Sequence, residues 1–150
     1  MWQFKTDEMK KIILLFVAIV FSINVFSQAP AIQWQNTIGG SADDMLYSIQ
    51  QTADGGYILG GLSQSNISAD KTENSVGGND YWIVKTDAAG NTQWQNTIGG
   101  NSDEQLYSIQ QTTDGGYILA GHSMSNMSGD KTENNRDTAL LTYDYWIVKT

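Results

Sequence analysis

"QTADGGYILGG", residues 51–61, returns sixty positions later as "QTTDGGYILAG", residues 111–121. In both copies an Asp-Gly-Gly triplet separates two stretches rich in aliphatic, aromatic and hydroxyl residues. Because Asp-Gly supplies the positive φ that a tight hairpin turn demands, residues 46–52 and 57–63 are predicted to pair as antiparallel strands. The stretch is therefore architecture, and Asp54 and its copy Asp114 are predicted to be turn residues rather than catalytic groups.

The duplication extends over most of the chain. Residues 33–74 align with residues 93–134 without a gap, and 32 of the 42 positions are identical. The sequence "DYWIVKT" follows in both copies, after five residues in the first and nine in the second, so the second copy carries a four-residue insertion. A tandem repeat of this kind predicts two copies of one structural unit, about residues 31–90 and 91–150.

Each unit is predicted to contain two β-hairpins. "IQWQNTI" (32–38) alternates apolar and polar residues, which places its apolar set on one face of a strand. "YWIVKT" (81–86) is rich in aromatic and β-branched residues and turns through "DAAGN" into "TQWQNTI" (92–98). The small pairs Gly60–Gly61 and Ala120–Gly121 are predicted to let neighbouring backbones approach closely. The expected fold class is all-β, with four antiparallel strands in each repeat.

Four antiparallel strands in a tandem repeat are typical of a β-propeller blade. The combination of "WQNTIGG", "YSIQQT", "DGGYIL", "DKTEN" and "DYWIVKT" resembles the blade-type repeats of secreted bacterial proteins, many of them exported by the type IX system. The resemblance covers residues 31–150 and implies an extracellular, propeller-like array. "DAAGNTQW" (87–94) is also similar to the Asp, Gly, Trp hairpin of quinoprotein-type propellers, but its spacing is one residue shorter, so no quinone cofactor is implied.

Two blades are too few for a ring, which normally needs about four to eight. Three outcomes are open: the chain is part of a longer propeller, it closes a ring with copies of itself, or it forms a two-blade sandwich with exposed edges. An unpaired edge strand invites association with another strand. We therefore expect further blades of the same chain or self-association.

The N-terminus predicts a secretory signal peptide over residues 1–27. Lys10 and Lys11 precede the apolar run "IILLFVAIV", and Val25 and Ser27 stand at small-residue cleavage positions. The apolar stretch, about fifteen residues long, is shorter than the roughly 20 that a membrane span needs. We expect a signal helix cut after Ser27, with translation starting at Met1 or at Met9, and no membrane span after cleavage. The mature chain, residues 28–150, is predicted to be secreted or held at the cell surface.

Composition excludes several classes of function. The formal net charge of -8 makes nucleic acid a poor partner, because phosphate neutralisation needs a basic surface. The absence of cysteine excludes disulfides and thiolate metal sites. His122, which replaces Leu62 of the first copy, is the single histidine, so no zinc site or familiar catalytic triad can be assembled. It is expected to face solvent or to pack against a loop.

The acidic loops are the candidate metal sites. Oxygen-rich loops can bind calcium, which takes six to eight such ligands, although neither repeat has the spacing of an EF-hand. Turn formation by Ser, Asp and Asn is the alternative, and we favour it. No cofactor is expected apart from this candidate calcium. The candidate ligands are Asp43, Asp44, Asp70 and Glu73 in the first repeat and Asp103, Glu104, Asp130 and Glu133 in the second.

Two further features could contact a partner. The aromatic residues could stack on sugars, but their alternating spacing favours core packing; they are Trp34, Trp82, Trp94, Trp146, Tyr57 and Tyr117. The insertion, residues 135–143, offers Arg136, Leu140 and Leu141 as partner-contact candidates, with a drifting surface loop as the alternative.

The predicted function is that of a secreted binding, adhesion or structural module, because no nucleophile, base and orienting group occur together. Its partner would be an extracellular protein or carbohydrate. The alternative from another class is an accessory region of a secreted hydrolase whose catalytic domain lies beyond Thr150; the downstream reading frame distinguishes the two.

Overall fold

The computed structural model describes Lys10, residues 29–137 and residues 142–150. The chain divides into two compact units, Met1–Gln33 and Trp34–Thr150. Of the first unit, residues 29–33 are exposed and outside any strand, and the predicted signal peptide lies outside the described residues except for Lys10. All seven strands of the described residues belong to the second unit. In the described part of the chain, no helix has the length and hydropathy needed to cross a membrane.

The second unit consists of two antiparallel sheets, which confirms the all-β prediction. The first sheet has four strands in chain order: β1 (Asp44–Gln51), β2 (Tyr57–Ser63), β3 (Asp80–Thr86) and β4 (Thr92–Ile98). The second sheet has three: β5 (Glu104–Gln111), β6 (Tyr117–Ser123) and β7 (Asp144–Lys149). Within the described residues the two sheets close neither a barrel nor a ring, and no strand pairs with the far edge of β7.

The Asp-Gly-Gly triplets form the hairpin turns that the sequence predicts. Gly55 and Gly115 have φ values of 84° and 90°, in the left-handed region that favours glycine. Asp54 Oδ1 accepts a hydrogen bond from the Gly56 amide at 3.0 Å, and Asp114 repeats the contact with Gly116 at 3.1 Å. The strands on either side pair directly, β1 with β2 and β5 with β6.

One predicted strand is absent. The "IQWQNTI" segment at residues 32–38 lies in no strand, whereas its copy at residues 92–98 is β4 and pairs with β3. The two segments are almost identical in sequence, so the difference comes from the surroundings. β4 lies beside the edge of β3 and pairs with it, whereas residues 34–38 pair with no strand of the unit. The prediction of a strand at 32–38 was wrong because strand formation depends on an available partner.

The hydrophobic core lies between the two sheets. We call the side of each sheet that carries Leu59, or its copy Leu119, the front face, and the opposite side the back face. The back face of the first sheet packs against the front face of the second. The buried residues of this core are Ile58, Tyr81, Ile83 and Ile98 from the first sheet and Leu106, Ile109, Tyr117 and Leu119 from the second.

Gly60 and Gly61 permit close approaches in the first sheet, as predicted. A Cβ on Gly60 would lie 2.7 Å from Leu106 Cδ2 of the second sheet, so this glycine brings the two sheets together. A Cβ on Gly61 would lie 1.8 Å from the carbonyl oxygen of Met45, beside the irregularity in β1 between Leu46 and Ser48. Neither position can take a side chain without movement of its neighbour.

Candidate functional site

The acidic residues of the first repeat hold loop backbone in place. The Asp44 carboxylate accepts hydrogen bonds from the Gly40 amide at 2.6 Å and the Ser65 hydroxyl at 3.1 Å. The Asp70 carboxylate accepts one from the Gly39 amide at 3.2 Å. These contacts join the chain before β1 to the loop that follows β2. Asp70 lies in that loop and bonds to Gly39, and Asp44 bonds both to Gly40 and to Ser65 of the loop.

The second repeat uses similar contacts, with one change of partner. Glu104 accepts hydrogen bonds from the Gly100 amide and the Ser123 hydroxyl, both at 2.7 Å. Asp130 accepts one from the Gly99 amide at 3.0 Å, as Asp70 does from Gly39. Glu104 thus takes the place of Asp44 at the glycine amide, but its longer side chain bonds to Ser123 of β6, the copy of Ser63, whereas Asp44 bonds to Ser65.

The remaining calcium candidates are dispersed. Asp103 accepts from the Asn79 amide at 2.9 Å, and Glu73 accepts from the Thr97 amide at 2.6 Å. Glu133 lies 3.9 Å from the Arg136 guanidinium, and for Asp43 the contact is through its carbonyl oxygen, which accepts from the Gln64 amide at 3.0 Å. Among the described residues, no three acidic or histidine side chains gather in a way that could hold a metal ion. Calcium binding therefore stays a prediction.

The two hairpin aspartates form ion pairs across the sheet. Lys85 Nζ lies 2.8 Å from Asp54 Oδ2, and Lys149 Nζ lies 3.0 Å from Asp114 Oδ2. Hydrogen bonding from Lys85 and Thr52 holds the pKa of Asp54 well below its usual range. The pKa of Asp114 is lowered in the same way, by Thr112 and then Lys149. Both carboxylates are therefore fixed in the charged form as turn residues.

The aromatic residues range from buried to about two-fifths exposed, with Tyr57 and Trp146 between these limits. Trp82 and Tyr117 are buried, as core packing predicts. For Trp34 and Trp94 that prediction was wrong, because both are about two-fifths exposed. Each of these two packs at the edge of a sheet: Trp34 lies 5.8 Å from the Tyr57 ring, and Trp94 lies 5.7 Å from the Tyr117 ring.

His122 packs against aromatic rings. Its ring centroid lies 4.0 Å from that of Tyr143 and 5.1 Å from that of Tyr107. Desolvation lowers the pKa of His122, so the neutral imidazole is favoured. This placement agrees with a loop-packing histidine. Of the insertion, the Arg136 side chain is exposed, and Leu140 and Leu141 lie outside the described residues, so partner contact there stays a prediction.

The structure reveals apolar surfaces at the ends of the two-sheet stack that sequence reasoning missed. Leu46 and Ile49 on the front of the first sheet are 55% and 56% exposed, whereas their copies Leu106 and Ile109 are buried between the sheets. On the back of the second sheet, Ile147 is 64% exposed, whereas its copy Ile83 is 1% exposed. A comparison of the two copies of each residue is the signal that identifies them. We call these surfaces the front end face and the back end face.

An open groove adjoins the back end face. It has a volume of about 500 Å³ and runs along the free edge of β7. Its lining includes Lys131, Thr132, Glu133, Tyr145, Trp146 and Ile147. At the same place in the first sheet, β4 is hydrogen bonded to the edge of β3 and to the loop at residues 70–73.

Comparison with known protein families and with curated proteins finds no match. No model of a known protein family matches the chain, and no curated protein matches its sequence. Its function must therefore be argued from the repeat and from the contacts that the two copies make.

Proposed function

We propose that the chain is a secreted, non-catalytic repeat protein whose two sheets are propeller-type blades serving an extracellular binding or structural role. One observation carries the proposal: polar side chains at equivalent positions of the two repeats make equivalent contacts with their own loops. Asp44 and Glu104 bond to Gly40 and Gly100, and Asp54 and Asp114 bond to Gly56 and Gly116. Groups committed to the fold in both copies are better explained by architecture than by chemistry.

The sheet arrangement supports the blade architecture. Each sheet begins at the same place in its repeat and adds strands in chain order, and the chain passes from β4 of one sheet directly to β5 of the next. Stacking is face to face, through a core of aliphatic and tyrosine side chains. Sheets of this kind that follow one another around an axis are the building units of propellers.

The surface chemistry supports binding to a protein. The two end faces present aliphatic and tyrosine side chains, and contiguous apolar surface of this kind marks interaction sites. A carbohydrate partner would use the half-exposed Trp34 and Trp94 instead, and loss of sugar binding on their replacement would identify it.

Export of the chain tests the proposed compartment. The full chain is expressed in a Gram-negative host, fractions are separated, and the N-terminal residue of each product is determined by mass spectrometry. We expect a product that starts at Gln28 outside the cytoplasm. The control variant Leu14→Arg places a charge in the apolar run and should keep the precursor inside. A wild-type chain that stays uncut in the cytoplasm would overturn the proposal of a secreted protein.

A further inference from the structure

We propose that copies of this chain assemble head to tail, the back end face of one copy docking on the front end face of the next. In the same contact, residues 34–38 of the second copy fill the groove beside β7 of the first and add a fourth strand to its sheet. The proposal rests on the blade architecture proposed above. It specifies the surface, the donor segment and the partner, which is a second copy of this chain.

The interface inside the chain is the template for this contact. Ile58, Tyr81 and Ile83 on the back of the first sheet bury Leu106 and Ile109 on the front of the second. The back end face carries Ile118, Tyr145 and Ile147 at the equivalent positions, and the front end face carries Leu46 and Ile49. A second copy would therefore meet nearly the same apolar side chains in the same order.

The internal interface also contains a polar contact that the ends can repeat. The Tyr81 hydroxyl donates a hydrogen bond to the Trp146 carbonyl oxygen at 3.0 Å. Tyr145 is the copy of Tyr81 and is 94% exposed, and Trp82 is the copy of Trp146. Across a head-to-tail contact, the Tyr145 hydroxyl can reach the Trp82 carbonyl oxygen of the next chain.

The groove has the groups that bind β4 in the first sheet. There, Gln95 Oε1 accepts hydrogen bonds from the Thr72 amide at 3.2 Å and from Trp82 Nε1 at 3.1 Å. The equivalent groups of the second repeat, Thr132 and Trp146, line the groove. The equivalent of Gln95 is Gln35, within the segment that has no strand partner in its own unit. The groove is thus suited to "WQNTI", the sequence of residues 34–38.

The position of the donor segment selects a second copy over another partner. Trp34 lies against Tyr57 as Trp94 of β4 lies against Tyr117, at 5.8 and 5.7 Å. The segment therefore already lies on the front side of the first sheet, where the fourth strand of a preceding sheet belongs. One docking event then covers both end faces and pairs the segment with β7. Because the contact joins two different surfaces, it generates a ring if the rotation closes and a filament if it does not.

Paired variants test the contact. Ile147→Asp introduces a charge on the back end face, and Ile49→Asp does so on the front end face; both positions are more than half exposed, so the fold should persist. Ile67→Asp is the matched control: Ile67 is 61% exposed, and its copy Met127 stays 65% exposed although a sheet precedes it, which places this position outside the contact. Folding of each variant is checked by circular dichroism.

The masses are measured by sedimentation velocity over a hundredfold concentration range. We expect wild type and Ile67→Asp to assemble, and each end-face variant alone to sediment as a single chain. An equimolar mixture of Ile147→Asp and Ile49→Asp should form a dimer and nothing larger, because one intact pair of faces remains.

Three outcomes would overturn the proposal. They are a wild-type monomer throughout the range, assembly that survives both variants, and assembly that only one variant abolishes, since that last result indicates a symmetric contact of one face with itself. A monomer that is exported leaves the proposed function intact. An assembled chain retained uncut in the cytoplasm would contradict the function and not this contact.

Discussion

At the scale of single residues, the two hairpin turns provide a matched pair of ion pairs in different surroundings. The Lys85 side chain is 4% exposed and that of Lys149 is 43% exposed, while their partners Asp54 and Asp114 are both more than half exposed. Replacing Asp54 by Asn removes the carboxylate that faces a buried ammonium group. Replacing Asp114 by Asn leaves an ammonium group that water still reaches. The cost to stability should therefore be larger at Asp54.

The sign of the pH dependence follows from the lowered pKa of Asp54. A carboxylate whose folded pKa lies below its unfolded value, about 3.9, stabilises the fold above that value and loses this effect as the pH falls through the folded pKa. Urea unfolding should show Asp54→Asn to be less stable than wild type at pH 7, with a smaller difference below about pH 4. A difference independent of pH, or an equal loss from Asp114→Asn, would contradict the assignment.

At the scale of elements, the sequence was most informative where a local rule sufficed. The Asp-Gly-Gly triplets located β2 to the residue, Tyr57–Ser63, while β1 begins two residues before the predicted residue 46. Residues 32–38 could not be assigned in this way, because the same sequence forms β4 only beside the edge of β3. Whether a segment forms a strand depends on the strand beside it as well as on its own sequence.

The candidate site shows the same limit. Acidic residues in loops are compatible with metal ligands and with acceptors of hydrogen bonds in turns. The choice depends on the folded chain, in which Asp44 and Asp70 bond to the amides of Gly40 and Gly39. Residue patterns could not predict the end faces either. Leu46 and Leu106 occupy the same position of the repeat, and they differ only in what covers them.

Adding and removing calcium tests whether the acidic loops bind this ion. Because their carboxylates already accept hydrogen bonds from backbone amides, we expect the urea midpoint to be the same in millimolar calcium and in chelator. Asp70→Asn and its copy Asp130→Asn should each lower stability by about 1 kcal/mol or less in either condition, since the amide oxygen can still accept. A calcium-dependent rise of the wild-type midpoint that Asp70→Asn abolishes would instead identify a metal site.

At the scale of the whole molecule, the interface between the two sheets and the proposed contact between copies use equivalent residues, because the sequence is repeated. The two interfaces differ at one informative position. Gly60 at the centre of the internal interface is replaced by Ala120 on the back end face. A Cβ at residue 60 would meet Leu106 Cδ2 at 2.7 Å, a distance that forces a shift, so Ala120 should crowd Leu46 of the next copy. The contact between copies is then weaker than the one inside the chain.

Removal of that methyl group should strengthen assembly. The atom in the way is the terminal methyl of a leucine, which can move, so the overpacking costs about 1 kcal/mol, at the lower end of its range, and Ala120→Gly should lower the dissociation concentration about fivefold. Sedimentation equilibrium measures the change, and circular dichroism confirms that the fold is retained. Gly60→Ala is the converse variant: it should lower the free energy of unfolding of the single chain. If Ala120→Gly leaves assembly unchanged, the copies do not meet with the geometry that the two sheets have within one chain, because that geometry places residue 120 against Leu46.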